Sequence, residues 1–375
     1  HKMGKIDKLG KEKMNILILF GGKSTEHEVS CISAASVLRV INRDKYQINA
    51  IGITKTGQWL WTDASPDEIE KGSWIDRETN LNISVKFGEE VVLIGSKIVE
   101  SENSEDTATR IFTVDCIFPI LHGQNGEDGT IQGMMEIMRI PYVGCGTMSS
   151  AVCMDKVMTK RIIENTGKIL QTKYVAASRG EFMTNPMGVL NEIHEKLKDD
   201  YPLFVKPANG GSSVGITKVK NKDALFDAIR LAAEMDDMVI VEKGVVGREI
   251  EVGVLGNLKI KSTNPGEVIS SNVEIYDYEA KYHSGESKTR MVDYISEEFK
   301  KEIREEAEFI YKELRCRGLA RIDFFLTENN EVIFNEINTM PGFTKTSMYP
   351  KMWESMGLTY EKLIDMLIDL ALYEV

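Results

Sequence analysis

FVKPANGGSSVG, residues 204–215, reads as a strand that ends in a lysine and a proline and runs into a turn too rich in glycine to serve packing alone. Gly210, Gly211 and Gly215 carry no Cβ, so their backbone N–H groups can close around an anion. Lys206 leaves the strand beside them as a point charge, and Ser212 and Ser213 add two hydroxyl donors. The stretch matches neither G-x-x-x-x-G-K-[ST] nor G-x-G-x-x-G. Alone it suits an ordinary hairpin turn with a solvated lysine as well as an anion flap, so its meaning depends on what the rest of the chain brings to it.

Immediately outward, Leu203–Lys206 and Gly215–Val219 flank the turn as strands. The helix expected over Asp223–Met235 is buried through Leu225, Phe226, Ile229 and Ala232, and Met238–Val241 is a strand ending at Glu242-Lys243. Upstream, a helix over 149–167 carries Met154, Asp155, Lys156 and Lys160, Thr172–Ala176 is a strand, and Leu190–Lys198 is helical. This order makes residues 146–243 an antiparallel α+β unit. Before it, the continuous apolar strand Met14–Phe20 runs into Gly21-Gly22 and then a helical pattern through Val29, Ile32, Val37 and Val40. With strands Tyr46–Ile53 and Phe112–Leu121, this opening predicts an α/β domain on a parallel sheet over 14–145. Asp63–Thr109 is polar with one strand-like run, Val91–Ile94, and reads as a surface insertion.

Residues 244–375 form the remaining part. Glu249–Leu255 has strand alternation, 267–290 is a long irregular stretch of the kind that is usually functional or disordered, and Phe299–Leu314 is an amphipathic helix. Leu319–Leu326 and Val332–Asn338 are paired strands, Asn338–Phe343 is a turn, and Tyr360–Leu372 closes the chain as a helix. Residues 1–13 are basic without an apolar core and read as a tag or loose extension.

Composition narrows the partners. A chain of 375 residues implies two or three domains, and its net charge of −12 argues against a nucleic-acid surface or an anionic membrane as main partner. The longest apolar runs, Ile16–Phe20 and Ile117–Leu121, are core-strand length, far below the roughly 20 residues of a membrane span. Five widely spaced cysteines in apolar settings suit free thiols of a reducing cytoplasm.

Several groups can do chemistry. Side chains alternate along a strand, so Arg321 shares a face with Asp323, and Glu336 shares one with Asn338. If the two strands pair, Asp323, Glu336 and Asn338 make an oxygen-only set suited to Mg²⁺; a solvated face with a salt bridge fits the same residues. His122 follows an apolar strand and enters a glycine-rich loop with Glu127 and Asp128, where open α/β sheets place ligands. Glu26 begins the first helix, after Gly21-Gly22. Lys281 and Tyr282 lie in the long irregular stretch and could reach over a site as a lid.

Together HGQNGEDGT (122–130), MDK (154–156), VKPANGGSSVG, YDYEAKY (276–282), ARIDFF (320–325) and NEINTMPGFT (335–344) resemble the D-alanine–D-alanine ligases of the ATP-grasp superfamily. The resemblance runs in order from Met14 onward. It implies a three-domain α/β architecture, α+β in parts, with ATP gripped between the central and C-terminal domains. It also implies ligation of two D-alanines through a D-alanyl phosphate, for peptidoglycan precursor synthesis in the cytoplasm. Mg²⁺, as two ions with Mn²⁺ able to substitute, and a homodimer are implied with it.

Carried over residue by residue, the resemblance makes Lys156, Lys206 and Lys281 the nucleotide-phosphate lysines, with Ser213 also on the ATP. Glu242 and Lys243 fall on the adenine side, Glu249 on the ribose, and Asp323, Glu336 and Asn338 on the metal. Arg321 and the Gly342 N–H correspond to the oxyanion donors. Glu26 meets the first D-alanine's ammonium and His122 its carboxylate, while Ser347 and Met348 meet the second substrate. Glu26, Ser212 and Tyr282 form a latch joining the domains. Tyr282 and Met348 favour D-alanine over D-lactate as second substrate; a D-alanine–D-serine ligase and a non-catalytic nucleotide-binding protein are the other readings.

Overall fold

The computed structural model describes residues 13–87, 91–101, 104–198, 200–211, 214–269 and 288–373. Ser212, Ser213, Lys281 and Tyr282, expected in the flap and lid, lie outside these, as do most of the extension 1–13. Three sheets organise the chain.

The first contains β1 (Met14–Gly21), β2 (Tyr46–Ile53), β3 (Trp59–Thr62), β4 (Leu81–Lys86), β5 (Val92–Ser101), β6 (Ser104–Phe112) and β7 (Cys116–Ile120), in the order β6-β5-β4-β3-β2-β1-β7. β1 pairs in parallel with β2 and β7 and is buried from Ile16 to Gly21, as expected of a central strand covered on both faces. Beyond β2 every pairing is antiparallel. The expected parallel sheet is therefore a mixed one, and the expected surface insertion 63–109 supplies its outer strands. In β4 Leu81, Ile83 and Val85 alternate with exposed Asn82, Ser84 and Lys86. A strand covered on one side carries half polar residues, and composition alone mistakes it for loop.

The helix His27–Val40 covers one face of this sheet together with the closing helix Tyr360–Tyr373. Leu363, Ile364, Leu367 and Ile368 share a core with Ile16, Ile18, Phe20 and Phe118, so the end of the chain returns to its beginning.

The second sheet, β10-β9-β11-β8, is antiparallel throughout, with β8 at Tyr174–Ser178, β9 at Leu203–Pro207, β10 at Thr217–Val219 and β11 at Met238–Lys243. Its core joins Val205, Val239 and Val241 to Ile193, Leu225 and Ile229. Phe226, expected inside, is 42 % exposed and rests against Phe182 at a ring distance of 5.2 Å. The single helix expected over 149–167 is two, Thr147–Met154 and Lys156–Thr166, broken at Asp155. The Asp155 carboxylate caps the second helix by accepting the Met158 N–H at 2.9 Å, a role aspartate fills better than a helix interior. The break bridges to Asn209, and the Lys156 N–H bonds Ala208 O at 3.0 Å, docking the helix start on the glycine turn.

The third sheet runs β15-β14-β12-β16-β17, with β12 at Arg248–Leu255, β13 at Lys261–Ser262 beside it, β14 at Gly266–Ile269, β15 at Lys288–Met291, β16 at Leu319–Leu326 and β17 at Val332–Asn338. Ile250, Val252, Val254, Ile322, Phe324 and Ile337 form one core with Ile303, Ala307 and Ile310 of the helix Glu297–Glu313. The opposite face carries the polar residues.

Candidate active site

Register decides what that polar face presents. β12 and β16 set Glu251 opposite Asp323 and Gly253 opposite Arg321, while β16 and β17 set Arg321 opposite Asn338 and Asp323 opposite Glu336. The expected pairing of the two strands is thus observed. A bulge follows Asp323, the kind of irregularity that re-aims side chains beside functional sites. Arg321 grips Asp323 with both arms, Nε to Oδ1 at 2.8 Å and Nη2 to Oδ2 at 2.6 Å, and lies 3.2 Å from Glu251 Oε2. Asn338 Nδ2 donates to Asp323 Oδ2 at 3.0 Å. Glu249 stands two residues from Glu251 and so on the same face.

The second sheet contributes cations. Lys206 on β9 bonds Glu242 on β11 at 2.6 Å, and Lys160 reaches the other Glu242 oxygen at 2.7 Å. Burial alone would raise the Glu242 carboxyl, but the two ammonium groups hold it well below the usual carboxylate range. Burial alone would likewise push Lys206 down; Glu242 outweighs it, helped by Glu336 and Glu249 of the third sheet, and the net direction is upward. Lys156 Nζ donates to Gly210 O at 2.6 Å, tying the helix start to the glycine turn. Lys243 is not brought into this group. It follows Glu242 on the strand, turns to the exposed side and pairs with Asp200.

From the first sheet come Glu26, His122 and Glu127. Glu26 occupies the N-cap position of the first helix and is buried. Its Oε2 lies so close to the glycine loops that a Cβ at Gly123 would stand 2.4 Å from it and one at Gly211 2.8 Å. His122 is buried with Nδ1 at 3.0 Å from Met340 O and Nε2 at 3.1 Å from Ser33 Oγ. Burial pushes its imidazole down more than Glu26 and the carbonyl raise it, so the neutral ring donates from Nδ1 and accepts from Ser33. Burial of the Glu127 carboxyl, with Glu26 nearby, pushes it up to about 8. Its oxygens accept the N–H groups of Gly123 at 2.7 Å and Met340 at 3.1 Å.

These parts meet around a cavity of about 440 Å³ lined by Glu26, His122 and Glu127, by Lys156 and Gly210, and by Arg321, Glu336 and Asn338. Gly342, Ser347 and Met348 complete it. Ser347 is the N-cap of a helix the sequence reading did not foresee, Met348–Ser355, and its Oγ accepts the Thr344 N–H at 3.1 Å. That helix start suits a carboxylate. Glu251 and Lys160 carry no expected role, and Glu127 is expected only as a neighbour of His122 in the glycine-rich loop. Period-2 alternation from Glu249 could have found Glu251, whereas Lys160 carries no motif signal of its own.

Among the described residues no group of three or more His, Cys, Asp or Glu side chains is arranged to hold a metal. Asp323, Glu336 and Asn338 are two carboxylates and an amide in register on adjacent strands, an all-oxygen donor set whose chemistry fits Mg²⁺. Among the described residues no helix is long and apolar enough to cross a membrane. All five cysteines are free and buried.

The antiparallel sheet with its glycine turn and the sheet that carries Arg321 among carboxylates belong to an ATP-grasp fold, the fold shared with the D-alanine–D-alanine ligases. A family model described as D-ala D-ala ligase N-terminus matches residues 15–145, and one described as D-ala D-ala ligase C-terminus matches 162–369. The chain belongs to the D-alanine–D-alanine ligase family, whose members are ATP-dependent ligases. It is 45 % identical to the D-alanine–D-alanine ligase of Acetivibrio thermocellus, covering 96 % of each chain. It is 47 % identical to D-alanine–D-alanine ligase B of Clostridium tetani, over 96 % of this chain and 94 % of that one. Among solved structures, the D-alanine–D-alanine ligase of Coxiella burnetii superposes with a TM-score of 0.81 at 36 % identity, covering 97 % and 95 % of the two chains. The VanG D-Ala:D-Ser ligase of Enterococcus faecalis gives 0.80 at 38 %, covering 96 % and 99 %.

Proposed function

We propose that the protein joins two D-alanines into D-alanyl-D-alanine at the expense of ATP, supplying peptidoglycan precursors in the cytoplasm. The observation that carries this is the cavity in which Glu26, Lys156, Arg321 and the Ser347 helix start meet. The first D-alanine carboxylate attacks the γ-phosphorus of ATP, giving D-alanyl phosphate and ADP. The amine of the second attacks the acyl carbon, and the tetrahedral intermediate collapses, breaking the C–O bond to phosphate.

In this reading Lys156, Lys206 and Lys281 bind nucleotide phosphates with Ser213, Glu242 the adenine edge and Glu249 the ribose. Lys243 contributes through its backbone, its ammonium being engaged with Asp200. Asp323, Glu336 and Asn338 would hold Mg²⁺, as two ions, or Mn²⁺; bound there, the metal supplies charge neutralisation for the phosphoryl group. Glu26 orients the first substrate by its ammonium, and the neutral His122 stands near its carboxylate. Arg321 and the Gly342 N–H stabilise charge on the tetrahedral oxygen. Ser347 and Met348 receive the second substrate, whose carboxylate the helix start favours. Ser212 and Tyr282 latch the flap and lid to Glu26. Residues 14–145, 146–243 and 244–375 are the proposed domains, the last lending its closing helix to the first, and the protein is proposed to act as a homodimer.

Purified protein with ATP, Mg²⁺ and D-alanine should release phosphate and form the dipeptide in equal amounts by mass spectrometry. Absence of both ends the proposal. Equimolar D-serine offered as competitor should leave the alanyl dipeptide dominant; a dominant D-alanyl-D-serine product would move the protein to the other ligase type.

A further inference from the structure

Lys160 has no place among the groups that would meet substrate, yet it is almost wholly buried, at 2 % exposure, where a lysine is rarely found unless paired. Its ammonium lies 2.7 Å from Glu242 Oε1, and Lys206 takes Oε2 at 2.6 Å. Thr172 completes the cluster, its hydroxyl donating to Glu242 Oε1 at 3.2 Å and accepting from Lys160 at 3.2 Å. The cluster sets two cations against one carboxylate. The two lysines differ in access: Lys160 is sealed, while Lys206 is 14 % exposed and sits at the end of β9 where the glycine turn begins. Only Lys206 can change partners.

A carboxylate this deeply buried cannot be left without a cation, because an uncompensated buried charge is far costlier than a paired one. If Glu242 had Lys206 alone, drawing that ammonium toward a ligand would strand the carboxylate. We propose that Lys160 is a positioning residue: a permanent counter-ion that keeps Glu242 compensated while Lys206 exchanges it for a phosphate of the bound nucleotide. The inference rests on the ATP-dependent ligase reading. It makes the second lysine a condition of phosphate binding although it never touches phosphate.

The test is calorimetric titration with ADP in the presence of Mg²⁺, which needs no turnover. Lys160→Met should weaken ADP by about tenfold or more, because apparent affinity falls with the fraction of protein whose Lys206 is free. Adding Lys160→Met to Glu242→Gln should cost no further affinity, since a neutral amide no longer holds Lys206, and comparing two proteins that both carry the amide cancels its effect at the adenine edge. Lys160→Arg should bind nearly as the wild type. A purely structural lysine predicts the opposite epistasis, with the double variant weaker than either single one. Binding within twofold of wild type in Lys160→Met, or a double variant tenfold weaker than Glu242→Gln, overturns the inference. Should Lys160→Met fail to fold by circular dichroism, the comparison passes to Glu242→Gln with and without Lys160→Met. The two should then bind ADP equally, and a tenfold gap between them overturns the inference. Wild-type protein that binds no ADP takes down the ligase reading itself, a result distinct from these.

Discussion

The second and third sheets each bury an ion pair between strands, and they leave opposite charge over. On the second, Lys160 and Lys206 share the one carboxylate of Glu242, a surplus of positive charge. On the third, Arg321 is gripped by Asp323 with Glu251 beside it, and Glu336 adds a further carboxylate opposite Asp323, a surplus of negative charge. The two sides already act on each other, since Glu336 and Glu249 of the third sheet help hold Lys206 charged, and each suits a further ligand charge of the opposite sign. A nucleotide polyphosphate carrying a metal, as proposed above, would match both signs at once.

The strongest way to break this comparison is to remove Arg321, the cation that pairs with Asp323 and Glu251 on the acidic face. Arg321→Ala should lower the rate of D-alanine-dependent phosphate release by about 100- to 1,000-fold, the usual cost of an oxyanion donor. It also removes the ion pairs that Asp323 and Glu251 make with Arg321 and should lower stability by on the order of 3 kcal/mol in chemical unfolding. Added Mg²⁺ should recover part of that stability, because the cation then has still more negative charge to meet. Unchanged turnover would remove Arg321 from the chemistry.

Asp323→Asn tests whether the two sides act separately. The Mg²⁺ concentration for half-maximal turnover should rise by about tenfold or more. Metal-free ADP binding, which falls to the lysine side, should change little. An equal loss in both measurements would show that the sheets do not divide the work as their charges suggest.

Glu127 sharpens the contrast by burying a carboxyl in a third way, protonated. With its folded value at about 8 and an ordinary value of 4.5, the unfolded chain loses this proton first as pH rises. The folded state then binds more protons than the unfolded one, so this group's contribution to stability falls between about pH 4.5 and 8, by at most about 1.4 kcal/mol per pH unit. Glu127→Gln should flatten the pH dependence of urea unfolding in that window. An unchanged slope would mean that Glu127 is ionised in the folded protein.

What the sequence made legible follows from how local each signal is. The pairing of β16 with β17, and the shared face of Arg321, Asp323, Glu336 and Asn338, came from alternation within two short runs and is met in the register. The outer strands of the first sheet were not legible, because Leu81, Ile83 and Val85 sit in a polar segment whose apolar half shows only once its facing strands are known. The role of Lys160 was hidden for another reason. Its significance depends on Glu242, eighty-two positions away in the chain, and on a burial no residue announces by itself. Glu127 was seen beside His122, but its contact with the Met340 N–H crosses 213 positions and could not be read locally.

The smallest effect isolates the approach of Glu26 to the glycine loops. Gly123 has φ +72°, and a Cβ there would stand 2.4 Å from Glu26 Oε2. Gly22 has φ +103°, but its Cβ would meet nothing nearer than a Leu121 methyl at 3.7 Å. Alanine at either position carries the left-handed backbone penalty of roughly 1 kcal/mol, visible in thermal unfolding. Only Gly123→Ala also displaces the carboxylate assigned to the first substrate, so the KM for D-alanine at that site should rise a few-fold there and stay unchanged in Gly22→Ala. Because both variants share the backbone cost, the difference between them reads the contact alone. Equal KM values would mean that Glu26 retreats from the new methyl group without losing its hold on the substrate.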